Sequence, residues 1–179
     1  MVINICLIVV VIITGMLLSN YNKFVRANNG VSEAESAIDV LLNQRFDLLP
    51  NIIETVKGYT KHEAGTLEEL VKLRSSYNND GFSIDETEKI NKKFGSIMAL
   101  AENYPDLKAN SQFMSLQSTL SDIEDKLNDA RLYYNNTVTI YNNMVESIPS
   151  NIVAKIFGFN KKELFKLDDS KKENIKVSF

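Results

Sequence analysis

The chain opens with an apolar segment that carries no charged side chain, residues 2–18, which read VINICLIVVVIITGMLL. Only Asn4, Thr14 and Gly15 interrupt its apolar character. A helix that crosses a bilayer needs about 20 mostly apolar residues, with a range of about 17 to 25. Because the segment is apolar on every helical face, a place in a soluble core is disfavoured. The sequence therefore predicts a transmembrane anchor at residues 1–19.

A cleaved signal peptide is the alternative for the apolar segment. Such a peptide has a positively charged start and small residues at its cleavage site. No Lys or Arg precedes the segment, and residues 16–19 (MLLS) lack a pair of small residues at that spacing. Cys6 has no lipobox around it. These features favour a retained anchor and a single-pass membrane protein.

The charges that follow the apolar segment predict its orientation. Lys23 and Arg26 lie shortly after it, whereas only the terminal amine lies before it. The side of a membrane helix that carries Lys and Arg tends to remain cytoplasmic. We therefore expect the N-terminus outside the cell membrane and the rest of the chain in the cytoplasm.

The second half of the chain carries a stripe of apolar and aromatic residues at helical spacing. The stripe advances in alternating steps of three and four residues, and only Thr137 breaks its apolar or aromatic character. Such spacing is typical of helices that pack like coiled coils. Pro149 ends the pattern, because the residue before a proline avoids the helical region. The stripe consists of Phe113, Leu116, Leu120, Ile123, Leu127, Ala130, Tyr134, Thr137, Tyr141, Met144 and Ile148.

The first half of the chain shows a similar stripe after the apolar segment. Pro50 removes a backbone donor within this pattern, so a kink or break is expected near Leu49. We expect one long kinked helix over residues 21–77, either separate from the membrane helix or continuous with it. The alternative is two helices that meet at Pro50. The stripe consists of Phe24, Ala27, Val31, Ala34, Ile38, Leu41, Arg45, Leu48 and Ile52, and it slips by one position to continue from Val56 to Leu70.

Shorter elements complete the predicted fold. Residues 78–81 (NNDG) predict a loop, and Ser83 with Glu86 forms the pattern of a capping box that opens a short helix. A last helix over residues 151–157 is expected to end at Gly158, which favours a left-handed cap. Leu164, Phe165 and Leu167 are then expected to hold the following segment against the bundle.

These elements together predict an all-α fold, in which an N-terminal transmembrane helix precedes an antiparallel bundle of three to four long helices. We divide the chain into the anchor at residues 1–19, a helical-bundle domain at residues 20–167 and a flexible C-terminal tail at residues 168–179. The tail is rich in Lys and Asp and has no helical stripe.

Composition limits the chemistry of the chain. It has 1 His and 1 Cys, too few for a zinc site built from these residues, and we expect no metal or cofactor. His62 and Glu63 are similar to the start of a zinc-protease helix, but Thr66 stands where the second His is needed. A net charge of −3 disfavours nucleic-acid binding. No glycine-rich phosphate loop or other small-molecule site is recognised.

Arg45 is a charged residue on the apolar stripe of the first helix. A buried guanidinium needs a carboxylate or carbonyl partner, and Glu102 and Glu124 are candidates on other helices. A structural pair that fixes the helix register is favoured over a ligand site.

A Tyr-Asn-x-x-Val pattern occurs three times, beginning at Tyr21, Tyr134 and Tyr141. Its Tyr and Val share a helix face, and its Asn can form hydrogen bonds at the edge of that face. The recurrence at both ends of the domain indicates that the first and last long helices lie side by side.

Further motifs follow in order along the chain, namely DVLL at residues 39–42, RFDLLPN at 45–51, ENYPDLKA at 102–109, YYN at 133–135, PSN at 149–151 and FGF at 157–159. In this order they resemble the LemA family of bacterial membrane-anchored helical proteins, over residues 21–165. The residues that match the family motifs have no assigned role. They are Tyr21, Asn22, Arg45, Asp47, Pro50, Asn51, Glu63, Glu102, Tyr104, Pro105, Arg131, Tyr134, Asn135, Tyr141, Asn142 and Pro149.

The resemblance implies an N-terminal membrane helix, an antiparallel bundle, a small external N-terminus and a molecular function that is unsettled in the family. Some relatives instead carry a lipoprotein Cys just before the Tyr-Asn motif, and these would place the bundle outside the cytoplasm. This chain has Asn20 at that place, so lipid anchoring is not supported.

Three functions from different classes are open at this point. We favour a non-enzymatic scaffold or adaptor for protein–protein interaction at the bacterial cell envelope, because a long apolar stripe occurs without a catalytic set of residues. The alternative is a membrane-bound homo-oligomeric structural protein that associates through the stripe between Phe113 and Ile148. A hydrolase that uses carboxylates is least favoured, because acidic residues along helices are usually a solvated face. The expected partners are the membrane and a protein, either another chain or a second copy.

Overall fold

The computed structural model describes residues 2–57, 64–80 and 82–165, and these ranges contain helices and no strand. This confirms the all-α prediction with a long apolar helix at the N-terminus. The helices are α1 (Val2–Asp47), α2 (Leu49–Lys57), α3 (Ala64–Asp80), α4 (Ile84–Glu102), α5 (Pro105–Lys108), α6 (Ser111–Glu146) and α7 (Ser150–Phe157).

Helix α1 is continuous from the apolar segment into the bundle. Residues 2–16 are exposed along their whole length, and from Leu17 onward one side of the helix packs against the bundle. The apolar part is long and apolar enough to cross a membrane, and none of it is buried against the rest of the chain. Of the two possibilities left open by the sequence, the structure therefore shows a bundle helix that continues the apolar segment.

The first long helix ends earlier than predicted. The helical pattern breaks at Leu48, and Pro50 is the second residue of α2, where a missing N–H costs little. The Leu48 N–H donates to the Arg45 carbonyl at 3.2 Å, and the Ile52 N–H donates to the Leu48 carbonyl at 3.0 Å. The helix is therefore interrupted where a kink or break was expected, and the alternative of two helices that meet at Pro50 describes residues 21–57, whereas the predicted course through residues 58–63 lies outside the described residues.

Helices α1 and α6 are antiparallel and side by side, as the Tyr-Asn-x-x-Val pattern indicated. Near the apolar segment, the rings of Phe24 and Tyr141 have centroids 6.1 Å apart. Farther along α1, Arg45 contacts Glu124, which precedes Tyr141 on α6. Later positions on α1 thus contact earlier positions on α6, as expected for antiparallel helices.

The two predicted stripes pack against each other inside one chain. The predicted stripes assume 3.5 residues per turn, whereas a straight helix has 3.6, so the buried side of each helix gradually moves away from the predicted positions. As a result Val138 is buried rather than Thr137, and Leu42 is buried rather than Leu41. The stripe also ends sooner than predicted, because α6 stops at Glu146 and Ile148 is 83% exposed. Since the stripe is covered within the chain, contact with another copy requires a different surface.

Helices α3 and α4 form a second antiparallel pair. The Ser76 hydroxyl on α3 donates to the Glu86 carboxylate on α4 at 3.0 Å, and Glu69 pairs with Lys93 at the other end. The loop predicted at residues 78–81 is wrong for residues 78–80, because α3 continues to Asp80. The predicted helix start after Ser83 is confirmed by α4.

Residues 159–165, here named the C-terminal strap, return along the bundle after α7. The strap follows Gly158, whose φ of 75° gives the predicted left-handed cap. Phe165 at its end is 6% exposed, whereas Leu164 is 44% exposed. Leu167 and the predicted tail at residues 168–179 lie outside the described residues.

Candidate functional site

A buried polar centre joins α1, α4 and α6, and it consists of Arg45, Asn91, Glu124 and Arg131. Arg45 is 4% exposed. Its Nη1 donates to Asn91 Oδ1 at 2.8 Å and to Glu124 Oε2 at 2.7 Å. The guanidinium carbon lies 4.3 Å from the centre of the Phe94 ring, a cation–π distance. One side chain therefore ties three helices together, and Glu124 is the partner among the two predicted carboxylates.

Two guanidinium groups share the Glu124 carboxylate in this polar centre. Arg131 Nη1 lies 3.9 Å from Glu124 Oε1. Burial lowers the pKa of Arg45, the Glu124 carboxylate raises it, and the second cation, Arg131, lowers it further. Within the described residues, Arg45 Nε and Arg131 Nε and Nη2 are buried without a hydrogen-bond partner. Both guanidinium groups of the centre thus depend on Glu124, and Glu88 adds a second negative charge that acts on Arg131.

Two asparagines of α6 hold the C-terminal strap by the same geometry. Asn142 Nδ2 donates to the Lys162 carbonyl at 2.8 Å, and Asn142 Oδ1 accepts from the Lys162 N–H at 2.9 Å. Asn135 makes the same pair of bonds with Phe165, at 3.0 and 2.9 Å. A planar amide can satisfy one backbone donor and one backbone acceptor at once. This explains the asparagines of the Tyr-Asn motif on α6.

The motif tyrosines support the strap from other directions. The Tyr134 hydroxyl donates to the Glu163 carbonyl at 3.1 Å, and burial raises the pKa of Tyr134 to about 12. The ring of Tyr21 on α1 lies 4.8 Å from Phe157 and 5.9 Å from Phe159, measured between centroids. These contacts fix the strap at its beginning and in its second half.

Arg131 connects the polar centre with the strap. Its guanidinium carbon lies 5.6 Å from the centre of the Phe165 ring, and the Phe165 backbone is held by Asn135. The Arg131 side chain is 17% exposed. Loss of the strap would therefore uncover one of the two cations of the polar centre.

The other predicted motif residues that the structure describes lie away from this site. Asp47 pairs with Arg74 at 3.1 Å on the exposed end of α1, and Tyr104 precedes the first residue of α5, Pro105. Glu63 and the side chain of Glu102 lie outside the described residues, as does His62. Asn22, Pro50 and Asn51 are exposed, and Pro149 precedes α7.

Sequence reasoning did not identify Asn91 and Phe94 as parts of the polar centre. They lie three residues apart on α4, so they share one face of that helix. A polar and an aromatic residue at this spacing are common in helices, so the sequence alone gives no reason to place them beside Arg45. Their role is evident only once α4 is known to face Arg45. The contact of the Tyr77 hydroxyl with the Asp39 carboxylate was also missed, and burial raises the pKa of Tyr77 above its usual value.

The chemistry that this arrangement can provide is the fixing of helix positions. The arginines remain cations, and Tyr134 and Tyr141 remain protonated near neutral pH because burial raises the pKa of each. In the described ranges, no group of three or more His, Cys, Asp and Glu side chains is placed to hold a metal ion. The hydrogen bonds of the polar centre and the strap connect α1, α4, α6 and the C-terminal strap, and we name this set of contacts the lock.

Comparison with known proteins relates the chain to three named relatives. Protein LemA of Metamycoplasma hominis is 24% identical over 163 residues, which cover 88% of this chain and 74% of that protein. Magnetosome protein MamQ 2 of Paramagnetospirillum magneticum is 25% identical over 194 residues, with coverages of 92% and 71%. Magnetosome protein MamQ of Magnetospirillum gryphiswaldense is 22% identical over 179 residues, with coverages of 83% and 65%.

The relatives and the N-terminal apolar helix together support a membrane-associated helical protein. The model of the LemA family matches residues 34–179, which include α2 to α7, the polar centre and the C-terminal strap. This match covers most of the chain and confirms the resemblance found in its motifs. The chain therefore belongs to the LemA family.

Proposed function

We propose that this protein is a non-enzymatic, single-pass membrane scaffold that presents a rigid helical bundle to protein partners at the bacterial cell envelope. The observation that carries the proposal is the continuity of α1, which extends from Val2 to Asp47 without a break. A continuous helix transmits the position and direction of its membrane part to the bundle, whereas a flexible linker does not. This is a property useful for a scaffold.

The lock described above supports the rigidity of the bundle. Arg45 joins α1 to α4 and α6, and the C-terminal strap is bound to α6 through Asn135 and Asn142. Each of these contacts connects segments that are far apart in the sequence. The bundle is therefore held by fixed polar partners in addition to its apolar core.

A partner surface is offered by the outer side of α6. Leu132, Tyr133 and Ile140 are 53%, 51% and 62% exposed and lie within about a third of the helix circumference. Exposed apolar clusters of this kind often mark protein contacts. We name these three residues the α6 outer patch and propose it as the place where a partner binds.

In-cell photo-crosslinking of the full-length chain tests the scaffold function. A photoreactive residue at Tyr133 or Ile140 is expected to trap a protein partner, whereas the same residue at the exposed Gln117 is the matched control and is expected to trap none. Crosslinks between copies of this chain would support the homo-oligomeric alternative. Absence of crosslinks at all three positions would contradict the scaffold proposal.

The bundle is proposed to lie in the cytoplasm, with the N-terminus outside. The proposal depends on Lys23 and Arg26, which are exposed just beyond the apolar segment. In a chain with Cys6 replaced by Ser, a new cysteine at the exposed Lys108 is expected to resist a membrane-impermeant maleimide in intact cells and to react after permeabilisation. Labelling of intact cells would place the bundle outside the cytoplasm.

A further inference from the structure

Helix α7 has an apolar outer face that the bundle leaves uncovered. Val153 and Ala154 are each 2% exposed and form its inner face. Ile152 and Ile156, four residues apart and on one side of the helix, are 54% and 61% exposed, and Phe157 is 52% exposed. A surface helix of a soluble bundle carries polar residues on its outer face instead.

The position of α7 follows from the antiparallel register of α1 and α6. Phe24 meets Tyr141, and α6 continues for five more residues to Glu146, a rise of about 7.5 Å. The same distance down α1 from Phe24 leads to Ser19. The end of α6 therefore lies level with the end of the apolar segment, and α7 begins a few residues later.

The other end of α7 lies at the same level. The ring of Phe157, the last residue of α7, is 4.8 Å from the ring of Tyr21, and Phe159 stacks on Phe24 at 4.7 Å. Both ends of α7 are thus held close to the height at which α1 leaves its apolar segment. Helix α7 consequently lies across the membrane-proximal end of the bundle rather than along its axis.

We propose that α7 is an interfacial helix, whose outer face of Ile152 and Ile156 enters the boundary between lipid headgroups and acyl chains, whereas the Phe157 ring packs on Tyr21. The inference rests on the proposed membrane anchor in α1. The bilayer is the occupant because α7 lies at the level where α1 leaves its apolar segment, which is the level of the membrane boundary for an anchored chain. Ile148, in the turn between α6 and α7, is 83% exposed at the same end of the bundle.

The charges around α7 agree with a lipid surface. Lys155 on α7 and Lys23 and Arg26 on α1 are exposed near the level of the membrane boundary. Long basic side chains can reach headgroup phosphates while their neighbours are buried in apolar surroundings. An interfacial helix typically combines apolar residues on one side with Lys and Arg beside them.

Depth-dependent fluorescence quenching on the full-length chain tests the proposal. Single cysteines in a Cys6→Ser background carry an environment-sensitive fluorophore, in vesicles of phosphatidylcholine and phosphatidylglycerol. A label at Ile152 or Ile156 is expected to be quenched most by lipids with a nitroxide near the headgroup. A label at Val10 is expected to be quenched most by a deep nitroxide, and a label at Lys108 by neither.

The outcomes separate this proposal from the anchor on which it rests. Suppose that the label at Val10 is quenched by the deep nitroxide, while the labels at Ile152 and Ile156 are quenched by neither nitroxide but are quenched by aqueous cobalt. In that case α7 is not interfacial, although the anchor stands. If the labels on α7 are protected from cobalt without nitroxide quenching, a protein covers them and the proposal is overturned. If Val10 is quenched by neither nitroxide, both the anchor and the interfacial helix are wrong.

Discussion

At the polar centre the Glu124 carboxylate contacts two guanidinium groups, so its replacement is expected to lower the stability of the bundle more than replacement of either arginine. Glu124→Gln leaves the buried Arg45 without its carboxylate and leaves Arg131 with only the charge of Glu88, so we expect a loss of about 3 kcal/mol in the free energy of unfolding. Arg45→Met keeps the volume and leaves one cation with one carboxylate, so its expected cost is about 1 kcal/mol. Denaturant unfolding of the full-length chain in detergent measures both.

The double variant is the control for this charge argument. Adding Arg45→Met to Glu124→Gln removes the cation that has lost its carboxylate, so the pair of changes is expected to cost less than Glu124→Gln alone. If Arg45→Met proves as harmful as Glu124→Gln, the unpaired charge of Arg45 does not govern the stability of the centre.

The stability of the bundle is expected to depend on the ionisation of Tyr134 at alkaline pH. Burial raises the pKa of Tyr134 to about 12, so the folded chain holds the phenol proton more tightly than the unfolded chain does. Its contribution to stability is therefore complete below about pH 10, the unfolded value, and is lost as the pH rises from 10 toward 12. The hydroxyl also donates to Glu163, so Tyr134→Phe is expected to cost about 1 kcal/mol at pH 8.

Comparison of the two chains across pH measures this contribution. The difference in unfolding midpoint between the native chain and Tyr134→Phe is expected to shrink as the pH rises above 10. The exposed Tyr133 offers a matched control, since Tyr133→Phe is expected to keep the native pH dependence. A difference that stays constant up to pH 12 would show that Tyr134 ionises equally in the folded and unfolded chains.

At the level of elements, the C-terminal strap is held by side chains of α6 rather than by regular secondary structure. Asn135 and Asn142 accept the N–H groups of Phe165 and Lys162. Replacing both asparagines by Ala removes four hydrogen bonds, so the strap is expected to open locally while α1 and α6 remain paired. Hydrogen exchange at these two amides is expected to accelerate strongly.

The exposed Asn136 provides the control for the strap variant. Asn136→Ala changes the same residue type on the same helix without touching the strap, so exchange at Lys162 and Phe165 is expected to stay slow. Unchanged protection in the Asn135→Ala and Asn142→Ala chain would mean that Phe165 and its ring contacts suffice to hold the strap.

The sequence was sufficient for the elements whose signal is periodic or local. The stripe on α6 and the cap at Gly158 were predicted, because helical spacing and left-handed backbone depend on residues near in sequence. A disruption of the first helix near Pro50 was predicted, but its form was left open, since proline permits either a kink or a new helix start. The continuation of α3 through Asp80 was missed, because a polar NNDG run is compatible with both a loop and a last helical turn.

The polar centre and the outer face of α7 were harder to predict for a different reason. Both depend on which helices meet, and this is a property of the whole bundle. Arg45 was recognised as buried from its place on the stripe, and Glu124 was one of two candidates. Ile152 and Ile156 have a four-residue spacing that fits an inner face equally well, and only their exposure in the folded chain shows that they point away from the core.

For the whole molecule, the continuity of α1 predicts an upright rod rather than a tethered bundle. From Ser19 to Asp47 the helix rises by up to about 45 Å, the upper limit when it stands normal to the bilayer. Energy transfer from a donor at Lys108→Cys, in the Cys6→Ser chain, to acceptors on the bilayer surface reports this height. Lys108 lies beside the start of α6, and the length of α6 places that point up to about 50 Å from the level of Ser19, so we expect a narrow distribution near that height for the native helix.

Breaking the helix at the membrane boundary tests whether continuity sets this height. Ser19→Gly with Asn20→Pro interrupts α1 just below Tyr21, because proline removes a helical hydrogen bond and glycine favours other conformations. The transfer efficiency is then expected to rise and its distribution to widen, as the bundle tilts toward the lipid on a hinge. Ser19→Ala with Asn20→Ala preserves the helix and is expected to behave as the native chain does. Equal distributions for all three chains would show that contacts of the bundle with the membrane surface, and not the rigidity of α1, hold the rod upright.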